Sequence, residues 1–105
     1  MANSYVTNLY PKPTAGVSDQ TLTVDATAGG VQFGTAFNKL TRYIVFDVQG
    51  ADVRVTYDDS APTTSNGHIL FAGRSYTWSK AAAEKAKFLR DGGTDATIHA
   101  SEFTD

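Results

Sequence analysis

The sequence predicts an all-β domain: a small antiparallel β-sandwich or jelly roll with one short helix near residues 80–86 and an extended N-terminal arm. Three observations lead there. Short runs alternate apolar with polar residues, the period-two signature of strands with one buried face. Thr, Val and Ile fill those runs, where β-branched side chains suit the pleat. Gly, Asp and Asn interrupt them at close spacing, the turn punctuation of sandwiches and barrels. With 105 residues the chain is the size of one domain, and it divides into an arm over 1–19 and a single β-sandwich domain over 20–105.

In the arm, Tyr5, Val6, Leu9 and Tyr10 are apolar, while Pro11 and Pro13 forbid a helix and remove ladder donors. The run is expected to be extended and held, either back over its own sheet or by a neighbouring subunit. The segment Gln20–Asp25 alternates Leu22 and Val24 against Thr21 and Thr23 and reads as a strand. Val31, Phe33 and Phe37 continue with apolar spacing, weakened by Gly34. The densest apolar run, Tyr43–Val48, reads as a strand buried on both sides or nearly so.

A tight Gln49-Gly50-Ala51 connection then predicts an antiparallel hairpin with Asp52–Tyr57, in which Val53, Val55 and Tyr57 share one face. The stretch Asp58–Gly67 is a loop, rich in residues that bond their own backbone or accept positive φ. Strands resume at His68–Ala72 and Ser75–Trp78, the second with Tyr76 and Trp78 on one side. Ser79 is placed to cap a two-turn helix from Lys80 to about Ala86, because its hydroxyl can accept an early helical amide. Lys87–Asp91 reads as a strand carrying Phe88. The last strand, Thr94–Phe103, turns Ala96, Ile98 and Ala100 inward. The expected core joins Val53, Val55, Tyr57, Ile69, Phe71 and Trp78 to Ile44 and Phe46.

Composition narrows the chemistry. Nine Lys and Arg against eleven Asp and Glu leave a net charge of -2, so there is no basic footprint for nucleic acid. No cysteine is present, which removes disulfides, thiol nucleophiles and cysteine metal sites. No run approaches the roughly 20 apolar residues of a membrane span, and the first residues lack a signal-peptide pattern; a soluble protein that begins in the cytosol of the cell that makes it is expected. His68 and His99 do not stand at metal-ligand spacing. Asp58, Asp59 and Asn66 could gather oxygen ligands but lack the spacing of a known calcium loop. Neither Ser65 nor Ser75 sits in a nucleophile elbow, and no phosphate loop occurs. No catalytic, cofactor-binding or metal residue is therefore assigned, and a non-enzymatic role is expected. Tyr57, Tyr76 and Trp78 could form a sugar platform with Asp58, Asp59 and Asn66 as polar contacts, or could belong to the core.

The order VRVTYDDSAPTTSNGHILFAG, aromatic strand, Ala-rich turn and KFLRDGGTDATIHASEF, over residues 40–103, resembles small β-sandwich virion proteins of tailed bacteriophages. The resemblance implies a structural protein of the virion, foremost a capsid decoration or cement protein that stabilises the major capsid shell. A head-tail connector, a tail component and a head-fibre component are the alternatives it implies, and a glycan-binding module is the alternative from the residues. The partners implied are the chain itself, in a homo-oligomer with a trimer favoured, and the major capsid protein. Interface contacts are expected at Tyr5, Leu9, Tyr10 and Phe103, where aromatics concentrate binding energy, and exposed loop contacts at Asp58, Asp59, Thr63 and Asn66.

Overall fold

A computed structural model describes residues 12–104. The chain runs β1 (Lys12–Pro13), β2 (Gln20–Val24), β3 (Tyr43–Gln49), β4 (Val53–Thr56), β5 (His68–Leu70), β6 (Ser75–Ser79), α1 (Lys80–Lys85), β7 (Lys87–Arg90) and β8 (Ala96–Thr104). These strands form two antiparallel sheets. In the five-stranded sheet β8 is flanked by β3 on one side and by β2 and β1 on the other, and β3 carries β6 on its far side. The three-stranded sheet has the order β5-β4-β7. Over the described residues the fold is all-β with one short helix, as the sequence predicts.

The core lies between the sheets. From the larger sheet Ile44, Phe46, Val48, Ile98, Ala100 and Val24 point inward, and from the smaller Val53, Val55, Leu70 and Phe88 meet them. The pattern in β8 alternates as expected, Ala96, Ile98 and Ala100 being buried. An aromatic stack fills the centre: Phe46 stands edge-on to Trp78 at 5.0 Å and to Phe88 at 6.1 Å. Edge-to-face geometry suits the ring quadrupoles.

The helix α1 forms where its cap allows. Ser79 is extended, with φ -61° and ψ 153°, and its Oγ accepts the Ala82 amide at 3.2 Å. Only Ala83 of this helix is buried, so α1 bridges the two sheets as a short crossover from β6 to β7. On β8 Glu102, 6% exposed, fastens the loop before β3. Its Oε1 accepts from the Asn38 amide at 2.8 Å and from the Thr41 hydroxyl at 2.7 Å, and Thr41 is bonded in turn to Thr14 at 3.0 Å.

Several expectations are corrected. Tyr43–Val48 and Asp52–Tyr57 do not form a hairpin. Both edges of β3 are taken, by β6 and by β8, so the chain turns at Gly50, φ +88°, and carries β4 into the other sheet. The β3 strand is not covered on both sides, because the second sheet lies on one face only; buried Ile44, Phe46 and Val48 alternate with half-buried Tyr43 and Val45. Tyr57, Ile69 and Phe71 leave the core, with exposures of 42%, 37% and 50%. Tyr57 lies past the end of β4, and the β4–β5 register places Leu70 opposite Val53, so Leu70 points inward and Ile69 outward beside Arg54. Residues 31–37 make no strand. Val31 forms a single bridge to Phe88, and Phe33 and Phe37 dock as side chains.

Candidate functional site

The two sides of the sandwich differ. On one side the outer backbone groups of β7 are occupied: Val31 exchanges hydrogen bonds with Phe88 at 2.8 Å each way, and the Arg90 amide donates to the Asp25 carbonyl at 3.1 Å. On the other side β5 and β6 lie next to each other, joined by the turn at Gly73 and by the Phe71 amide donating to the Tyr76 hydroxyl at 2.9 Å. Exposed Tyr57 and Phe71 gather on this side, and the Arg74 guanidinium stands 5.9 Å from the Phe71 ring centre.

This side also carries a polar cleft of about 280 Å³ lined by Thr56, Tyr57, Asp58, Ser60, Asn66, Gly67 and His68. The loop that forms it is organised locally. Asp58 Oδ1 accepts the Ser60 hydroxyl at 2.6 Å and the Ser60 amide at 3.1 Å. These bonds, the hydroxyl's first, hold the Asp58 carboxyl below its ordinary range, with nearby His68 adding a smaller pull in the same direction. Thr56 donates its hydroxyl to the Ser60 carbonyl at 2.6 Å, and Asn66 donates its side-chain amide to the Ala61 carbonyl at 3.0 Å. Gly67 takes φ +119°, and a Cβ there would lie 2.9 Å from the Val55 carbonyl oxygen, so glycine is required for the loop to re-enter β5.

The aromatic wall is Tyr57 stacked on His68, centroids 5.7 Å apart and planes within 11°. Tyr57 also meets Trp78 edge-on at 5.2 Å, so the cleft is the outward end of the aromatic stack of the core. Tyr76 and Trp78 are half-buried against Phe46. The ring pair that faces solvent is thus Tyr57 with His68, neither of which is singled out by alternation, since Tyr57 continues the inward parity of Val53 and Val55.

The cleft assembles Ser60, Asp58 and His68 without a hydrolytic relay. A nucleophilic serine needs its proton accepted by an imidazole. The Ser60 hydroxyl instead donates its hydrogen bond to Asp58, and among the described residues no hydrogen bond joins His68 to either. The second histidine lies elsewhere: His99 Nε2 is 3.1 Å from Asp19 Oδ2 on the outer face of the larger sheet.

The loop contacts read from the sequence separate. Asp58 and Asn66 line the cleft. Thr63 pairs backbone to backbone with Asn66, at 3.0 and 3.2 Å, and shapes the loop tip. Asp59 adopts φ 69°, and its carbonyl accepts from Lys87 Nζ at 3.3 Å. Of the interface residues, Tyr5, Leu9 and Tyr10 lie outside the described residues. Phe103 is half-buried, stacked on Tyr43 at 5.5 Å with planes 10° apart and paired across the strands with Pro13. The described end of the arm therefore lies along β8 of its own sheet. No protein-family model, curated protein or solved structure matches this chain.

Proposed function

We propose that this chain is a structural subunit of a tailed-phage virion, a decoration or cement protein that binds the major capsid shell as a homo-oligomer. The observation that carries the reading is the asymmetry between the two sides of the sandwich. One side is closed by backbone bonds, and the other presents exposed Tyr57 and Phe71 beside a sheet edge. Apolar side chains rimmed by polar loops, next to a strand edge that no other described strand pairs, suit protein contacts made without covalent chemistry. The test is to add purified protein to capsid shells that lack it. The reading predicts co-sedimentation with the shells and a raised shell disruption temperature. It is abandoned if the protein stays in the supernatant and the shells melt unchanged.

A second reading, a glycan-binding module, is favoured by the Tyr57–His68 cleft, whose aromatic wall and Asp58 carboxylate match the flat faces and hydroxyls of a sugar. Because Tyr57 touches Trp78, a bound saccharide is expected to shift Trp78 fluorescence. An unchanged spectrum across a saccharide panel removes this reading.

A further inference from the structure

We infer that β6 is a self-association strand: two copies of the chain pair their β6 edges antiparallel about a two-fold axis at Thr77, making one continuous sheet. The inference goes beyond the virion reading and does not rest on it.

The first observation is which backbone groups β6 leaves unused. In an antiparallel ladder, opposed residues alternate between hydrogen-bonded and non-hydrogen-bonded pairs. The Lys80 amide donates to the Arg42 carbonyl and the Val48 amide to the Arg74 carbonyl, so the even-numbered positions of β6 carry the bonds to β3. Ser75 and Thr77 therefore turn their N–H and C=O groups away from β3, as Ser79 does its N–H, while the Ser79 C=O accepts the first bond of α1. Among the described residues no strand pairs with that edge. The contrast is β7, whose outward groups at Phe88 and Arg90 are taken by Val31 and Asp25.

The second observation is that the strand is a chemical palindrome. Ser75-Tyr76-Thr77-Trp78-Ser79 reads as Ser, aromatic, Thr, aromatic, Ser in either direction. A two-fold interface must be self-complementary, because each residue meets the symmetry image of another. With the axis at Thr77, Thr77 exchanges two hydrogen bonds with its own copy, and Ser75 faces Ser79 of the second copy, whose N–H donates to the Ser75 C=O. Thr–Thr and Ser–Ser neighbours suit cross-strand packing on the outer face. On the core-facing side Tyr76 lies opposite Trp78 of the second copy, and both rings are half-buried in the monomer with area left to cover.

The third observation concerns protection. Soluble proteins blunt free edges with charges, prolines or bulges, and β6 has none within its five residues. Charges stand only at its ends, where the same register sets Arg74 opposite Lys80 of the second copy. Like charges facing each other oppose pairing, so the paired stretch stops at Ser75 and Ser79, and added salt strengthens association by screening them. This occupant gives a dimer in place of the trimer that the virion resemblance favours.

The experiment is sedimentation equilibrium of the whole chain over a range of concentrations at low and high salt, with amide exchange measured alongside. The expected result is a species of twice the 11.2 kDa monomer mass, more populated in high salt, with the Thr77 and Ser79 amides protected in the dimer. Thr77→Pro removes one outward donor while sparing the bonds to β3 and is expected to give a monomer; Thr77→Lys, which keeps the backbone and adds an edge charge, is expected to do the same. Circular dichroism verifies that both variants fold. A wild-type monomer at every concentration, a trimer, a dimer unaffected by both variants, or freely exchanging Thr77 amides in the dimer would each overturn the proposal. Shell binding without dimerisation would sink it while leaving the virion reading intact.

Discussion

The β2/β7 side and the β5/β6 side of this sandwich are built from similar short strands and end in opposite ways. On the first, the irregular segment after β2 gives its backbone to β7 and its rings, Phe33 and Phe37, to the core. On the second, Phe71 and Tyr57 remain exposed and β6 pairs only with β3 among the described strands. The lesson is that strand pattern does not determine whether an edge is open. What decides is whether a neighbouring loop has hydrogen-bonding backbone in reach.

Substitutions on the two sides should separate them. The largest effect is expected for Phe88→Ala on the closed side, because the ring is fully buried against Phe33, Phe46 and Trp78. A loss of about 3–5 kcal/mol is expected in urea unfolding, whereas Phe71→Ala on the open side should stay within about 0.5 kcal/mol for the isolated monomer. A comparable loss from Phe71→Ala would mean that the open side is part of the core.

Next comes Glu102→Ala, which leaves the Asn38 amide and the Thr41 hydroxyl without their acceptor. A cost of about 1–3 kcal/mol follows from stranding buried donors. Glu102→Gln retains an acceptor and should lose less, which distinguishes the hydrogen bonds from simple packing.

Smaller still is Ser79→Ala, where loss of the cap on Ala82 should cost about 1 kcal/mol. It acts on the helix and leaves the outward backbone of Ser79 in place, so dimerisation should survive it.

The smallest effect is a pH dependence confined to the loop of the open side. The Asp58 carboxyl is held below its usual 3.8 in the folded protein, first by the Ser60 hydroxyl and then by the Ser60 amide. A depressed folded value contributes stability that is present above the unfolded value and lost as pH falls through the folded one. The Ser60 amide resonance should therefore shift only as pH drops below about 3.8, following Asp58. Asp58→Asn should abolish that shift and leave the dimer unchanged. A Ser60 shift that persists in Asp58→Asn would mean that another group governs the loop.

Much of the architecture was legible in the chain because local rules agreed with the final packing. Alternation located β2, β4, β6 and β8, and the dense apolar run located β3; Ser79 marked the helix start; and Ala96, Ile98 and Ala100 fell inward as read. The run His68-Ile-Leu-Phe-Ala was ambiguous, since three consecutive apolar residues fit either parity, and only pairing with β4 made Leu70 the buried one. Asp58 and Asn66 were legible as loop contacts, but the Tyr57–His68 wall was not, because stacking depends on where β4 stops.

By itself, then, the sequence determined the element types, the all-β class and the palindrome of Ser75–Ser79, since each depends on residues close together in the chain. Tertiary structure decided which strands share a sheet, because β3 has two edges and both were claimed by distant segments, β6 and β8, before its neighbour β4 could pair. It also decided which edge stays open, because that depends on where the loop after β2 lies in space, and no local pattern encodes it.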